Sequence, residues 1–282
     1  VERHFIVRGM AVGAIGGLLA FLFARIFAEP QIQKAIDYES GRHTAQSALD
    51  KAAGLAVEHE HAEPFSRAFQ GNVGIGVGII AFGIAMGALY AVAYALACGR
   101  TGKVRPRTLA LLVAGGGFLA LYLIPFAKYP ANPPAIGHED TIRERSGLYL
   151  LMVGISIVVL VAGAWLGQRL QARFGTWNAT LLAVLACAVV LGAVMLVLPS
   201  FGELSANVEA YGHHATETPL PLRDAQGRIV YPGFPADTLF AFRFFSVAAQ
   251  AVLWGTIGLC FAPLAERLLG PRPDTNAAPA TV

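Results

Sequence analysis

Charge is what this sequence has least of: Asp, Glu, Lys and Arg together make up 14% of 282 residues, while 55% are hydrophobic. Soluble domains carry roughly 25% charged residues, so an ordinary water-soluble fold is excluded and a bilayer becomes the natural solvent. Cysteine is also scarce. Cys98, Cys187 and Cys260 all lie inside or at the edge of apolar stretches, which leaves neither a disulfide framework nor a CxxC metal clip and makes them small packing residues. Catalytic signatures are missing too, with no HExxH, GxSxG, kinase or dinucleotide pattern, so no enzyme is expected. The run Gly74-Ile75-Gly76-Val77-Gly78 lacks the Lys-Ser/Thr of a phosphate loop and reads as helix packing. The net charge of +3 is concentrated in short basic connections and calls for no nucleic acid.

What is present is length of apolar run. A helix rises about 1.5 Å per residue and must satisfy its own backbone hydrogen bonds in lipid, so about 20 apolar residues cross the hydrocarbon. Six stretches qualify, at approximately 6–27, 73–97, 109–126, 148–167, 179–198 and 239–261. The expected fold is therefore an all-α integral membrane protein with about six transmembrane helices. One polytopic domain spans 1–270, interrupted by a partly helical segment at 28–72, a middle-length one at 127–147 and a third at 199–238, with a flexible tail at 271–282. Arg3 and Arg8 before the first run imitate a signal peptide. The run is longer than a signal core, however, and Ala24–Ala28 is a poor cleavage site, so it reads as a retained helix.

Orientation follows from Lys and Arg in short connections. Arg100, Lys103, Arg105 and Arg107 occupy 98–108, and Arg169 and Arg173 occupy 168–178, with no acid in either. Both connections read as cytoplasmic, which places both termini inside and the three longer segments outside. Acids and histidines, unused in that assignment, then sort strongly: of 18 acids only Glu2, Glu266 and Asp274 fall inside, and of seven histidines only His4 does. Solvation of long translocated loops explains part of this bias. The sharper reading is capture of a divalent transition metal, for which carboxylate and imidazole are suitable ligands.

Candidate metal ligands are Glu58, His59, His61 and Glu63 in the densest cluster, with His138, His213 and His214 in two smaller ones. If a short helix over Thr44–Val57 continues, Glu58 and His61 share a face at i,i+3, and His59 and Glu63 share one at i,i+4. In an extended chain His59 and His61 project to the same side instead. Glu217 accompanies His213 and His214, and Asp140 next to His138 is placed to cap the fourth span. The proline-rich loops 128–137 and 231–237 cannot be helical. Arg25 and Arg243 mark outer helix edges, with Glu29 or Asp237 as potential partners. Glycines four apart in the first span (Gly9, Gly13, Gly17) and the second (Gly74, Gly78; Gly83, Gly87) predict close packing of those two helices.

These residues carry a family resemblance. Ala28-Glu29-Pro30 with Ala35-Ile36, Ser66-Arg67-Ala68-Phe69-Gln70, the loop Lys128–Gly137, and Phe234-Pro235-Ala236-Asp237 through Phe242-Arg243 to Gln250-Ala251-Val252-Leu253-Trp254 resemble the CbtA family of predicted cobalt transporter subunits. The resemblance implies a bacterial inner-membrane protein with cobalt(2+) as substrate and no permanently bound cofactor. It also implies a small single-helix partner, CbtB, with a histidine-rich tail; it brings no established ligand set. Two rivals come from other classes. A scaffold subunit would use the proline loops as docking surfaces, and an intramembrane enzyme acting on lipid or quinone would need a buried catalytic group that no span supplies.

Overall fold

The computed structural model describes residues 2–55, 66, 69–102, 104–213 and 216–269. Helix α1 (Glu2–Phe27) runs through Ala28, whose backbone stays helical at φ −85° and ψ −38°, directly into α2 (Glu29–Ala52). The expected short helix at Thr44–Val57 therefore begins 15 residues earlier, at Glu29. The physical reason is local: Pro30 sits in the first turn, where a missing N–H costs nothing, and growth from α1 avoids a new nucleation. α2 ends at Gly54, whose φ of 71° turns the chain so that Leu55 N–H reaches the Asp50 carbonyl at 2.9 Å.

A π-helical turn, Gln70–Gly74, leads into α3 (Ile75–Ala97). Next come α4 (Pro106–Phe118), a second π turn (Leu119–Leu123) and α5 (Ile124–Lys128), which form one traverse. Pro125 has no N–H to give the Leu121 carbonyl, and in lipid no water is there to replace it. Tyr149 Oη donates to that carbonyl at 3.4 Å, which repairs the ladder and ties the following helix to this one.

That following helix, α6 (Ile142–Val197), is two helices joined at one residue, Gly175, with φ 72° and ψ 167°. Its arms run antiparallel. Cys187 Sγ donates to the Val159 carbonyl at 3.5 Å, Gly163 lies against the Cys187 sulfur, and a Cβ on Gly167 would meet Ala183 Cβ at 3.5 Å. The connection expected at 168–178 is thus helical on both sides of a single left-handed glycine. After α7 (Ser205–Tyr211) and the ribbon β1 (Leu222–Arg223) with β2 (Ile229–Tyr231), α8 (Ala236–Leu269) closes the chain.

Among the described residues five helices are long and apolar enough to cross a membrane: Phe5–Phe27, Gln70–Ala97, Pro106–Lys128, Glu139–Glu203 and Ala236–Leu269. Because the fourth folds back at Gly175, the chain makes six apolar passes, an all-α membrane architecture. Helices α1, α3, α4 and α8 form the packed centre, where Phe5, Tyr90, Tyr94 and Phe261 interlock with ring centroids 5.0–6.5 Å apart. Tyr90 Oη donates to the Ala110 carbonyl at 2.9 Å, so its polar end stays satisfied within the bundle. The α6 hairpin lies at the edge: only 11% of its most apolar window is buried.

Contact between α1 and α3 is made through glycine. A Cβ on Gly13 would strike the Gly83 carbonyl and come within 2.9 Å of Gly87 Cα, and one on Gly17 would lie 2.9 Å from Ile80 Cα. Of the glycines expected in this interface, Gly74 and Gly78 are not used: nothing lies within 4 Å of a Cβ on Gly78. At that end α3 turns Gly76 toward α1 instead, where a Cβ would meet the Phe21 ring at 3.2 Å, and Gly78 borders an open space beside α8.

Candidate functional site

All three longer segments meet at one end of the bundle and build a cap. Tyr38 on α2 donates to the Pro232 carbonyl at 2.9 Å while Tyr231 Oη donates to the Tyr38 carbonyl at 3.2 Å, and Phe234 packs edge-on against the Tyr38 ring at 5.1 Å. Arg42 Nη1 donates to the Leu220 carbonyl at 2.7 Å. The proline loop is fastened from below by Arg243 of α8, which donates to the Ala131 carbonyl at 3.1 Å and to Asn132 Oδ1 at 2.8 Å. Arg25 donates to Asn72 Oδ1 at 2.9 Å. Both arginines thus bond uncharged oxygens from other parts of the chain.

At the heart of the cap is Glu217, 1% exposed. Its carboxylate pairs with Arg145 Nη1 at 2.8 Å, accepts from Asn207 Nδ2 at 2.9 Å, and accepts a short bond from the Thr141 hydroxyl. Thr141 and Asn207 are themselves fully buried. Gly137, at φ 141°, leaves space for this pair, since a Cβ there would lie 2.8 Å from Arg145 Nη1. A buried carboxylate is tolerated only when its charge and lone pairs are matched, and here two separate segments supply the match.

The expected metal ligands are distributed very differently. Glu58, His59, His61, Glu63 and His214 lie outside the described residues. His213 is exposed just after Gly212, which ends α7 with φ 73°. His138 caps the 3-10 turn Glu139–Thr141, its Nδ1 accepting from Asp140 N–H at 3.3 Å, so the capping side chain is His138 and not Asp140. The reason is geometric: the chain enters a 3-10 turn at Glu139, three residues before the α-helix begins at Ile142, which shifts the cap position upstream. Glu217, expected beside His213 and His214, turns inward to Arg145 instead. Among the described residues no group of three or more His, Cys, Asp or Glu is arranged to hold a metal ion.

In the ribbon, Asp224 accepts from the backbone N–H groups of Gln226 and Arg228 and from Arg228 Nε at 2.8 Å. Desolvation pushes its carboxyl up, but these bonds outweigh it and hold the group below its ordinary value.

One residue in the membrane bundle was not anticipated from sequence. Gln250 is the only amide, acid or imidazole in the six apolar stretches, and it falls at the centre of the last one. Its Oε1 is buried with no hydrogen-bond partner among the described residues, a cost of about 1–3 kcal/mol. Beside it lies a cavity of about 230 Å³ between α1, α3 and α8, lined by Ala20, Gly78, Ile79, Phe82, Ala249 and Leu253. A lone amide in an otherwise apolar run is the signal the sequence carries for it, while acids and histidines cluster in the loops.

The family model described as "Probable cobalt transporter subunit (CbtA)" matches residues 2–266. No curated protein and no solved structure matches the chain.

Proposed function

The chain belongs to the CbtA family of probable cobalt transporter subunits, and from that membership we propose that it is the membrane-embedded part of an uptake system for Co²⁺ or a divalent ion of like chemistry. The observation that carries this reading is the extent of the match: residues 2–266 include every apolar pass and the whole described cap. We read the cap as the outer face of a bacterial inner membrane, with both termini cytoplasmic, because the basic connections lie between passes at the opposite end. Capture of the ion is assigned to outer carboxylate and imidazole groups, chiefly Glu58, His59, His61 and Glu63, with His213 and His214 as further candidates. His138 is a weaker candidate, since its Nδ1 is already engaged. The partner is a small single-helix subunit with a histidine-rich tail, and the lightly buried α6 hairpin offers it lipid-exposed surface.

The test is cobalt accumulation in cells lacking their own high-affinity uptake, at matched expression and membrane insertion. Intact protein with its partner is expected to raise accumulation, and the His59→Ala, His61→Ala, His213→Ala, His214→Ala variant to lose at least half of that gain. No change in cellular cobalt under any partner condition would reject transport and favour a scaffold subunit.

A further inference from the structure

We propose that the Gly175 end of the α6 hairpin binds an anionic phospholipid: its headgroup phosphate bridges the guanidinium groups of Arg169 and Arg173, and Trp165, Phe174 and Trp177 lie against the glycerol and upper acyl chains.

Between Arg145 and Glu203 the only charged residues are Arg169 and Arg173. They stand four apart on one arm, a helical turn from each other, where like charges oppose the helix unless an anion lies between them. At the other end of the molecule Arg145 pairs with Glu217 and Arg228 with Asp224. Arg169 and Arg173 are both exposed, and neither has an acidic partner among the described residues. A site with two cations and no carboxylate is matched in charge by a net negative ligand.

Aromatic rings set the depth. Arg169 Cζ lies 4.6 Å from the Trp165 ring centroid, and Arg173 Cζ lies 5.2 Å from that of Phe174. Trp165 is one turn closer to the apolar pass, and helical side chains lean toward the N-terminus. The Arg169 guanidinium is therefore turned back toward hydrocarbon, to the level where tryptophans meet headgroups, and the anions at that level are lipid phosphates. Trp165 and Trp177, 56% and 75% exposed, leave apolar surface beside it for acyl chains. The guanidinium fork matches phosphate oxygens in pairs.

The same end of the hairpin is the one the protein leaves unattached by polar bonds. The buried cluster around Tyr129, Met152 and Leu191 and the Tyr149 bond to the Leu121 carbonyl hold the hairpin at its far end. Among the described residues, the side-chain hydrogen bond made within 160–186 is local, from Thr180 to the Thr176 carbonyl. A lipid on Arg169 and Arg173 gives the hairpin a second point of attachment.

The test reconstitutes the full chain in mixed vesicles of phosphatidylglycerol and phosphatidylcholine, with brominated acyl chains on one lipid or the other. Quenching of tryptophan fluorescence then reports which lipid sits beside Trp165 and Trp177, since the third tryptophan, Trp254, is buried in the bundle. In the wild type phosphatidylglycerol is expected to be preferred about twentyfold, roughly fivefold from each arginine. Arg169→Gln and Arg173→Gln should each lower that preference about fivefold, and the two together should bring the lipids within about twofold of each other. Equal quenching by both lipids in the wild type, which needs no variant to fold, would overturn the proposal. A preference that survives in the double variant would belong to another basic connection and would overturn this site. Loss of the wild-type preference on adding excess inorganic phosphate would show a free-anion site and overturn the lipid assignment.

Discussion

The membrane bundle and the cap are held together by opposite means. In the bundle, α1 and α3 approach by having no side chains where they touch, and association comes from dispersion between close backbones. In the cap, separate segments are fastened by a buried ion pair, tyrosine hydroxyls and arginine donors, each bonded to a named acceptor. The difference reflects the solvent. In lipid an apolar side chain gains little by leaving its surroundings, so shape alone selects partners; at the aqueous end, polar groups must be matched before they are buried.

The largest break in this contrast is expected at Glu217. Glu217→Ala leaves Arg145 without its buried partner and is expected to destabilise the cap by about 3–5 kcal/mol. Hydrogen exchange should rise across 137–145 and 199–218 while α1 and α3 keep their protection. Equal deprotection of both regions would show that cap and bundle form one cooperative unit. In the bundle, Gly13→Val places a branched side chain against the Gly83 carbonyl and is expected to cost about 1–3 kcal/mol, read as a lower melting temperature of α1 and α3 with the cap's internal bonds unaffected. The smallest effect is the titration of Asp224. Its folded value lies below its ordinary 3.8, so its contribution is present above the unfolded value and is lost as pH falls through the folded one. The protection of the Gln226 and Arg228 amides, as exchange relative to the intrinsic rate at each pH, should therefore fall only in strongly acidic buffer and stay constant between pH 5 and 8.

Much of this molecule was legible as pattern. The apolar runs had only one way to satisfy their backbones, so their number and positions follow from length, and the Gly9/Gly13/Gly17 spacing announced the face that α3 occupies. Legibility ended where a residue's role depends on a distant partner. The tight turn at Gly175 was hidden because its flanking arginines read as a loop, although helices continue to either side of one glycine. Gly78 carries the same four-residue spacing as Gly87 and meets nothing, because α3 turns Gly76 and not Gly78 toward α1, against Phe21. Glu217 looked like a companion of neighbouring histidines, and its partner proved to be an arginine 72 residues upstream.

Class, pass number and the segregation of acids and histidines to one end are consequences of local composition meeting a bilayer, and the sequence determines them without reference to any long-range contact. The tertiary structure alone decided that the three long segments close into one cap, that Glu217 is a strut and His138 a helix cap, and that a single glutamine is left with an unmade bond at the membrane's centre. Those outcomes depend on which atoms arrive within about 3 Å of one another, and hydrogen bonds and ion pairs exist only at that range.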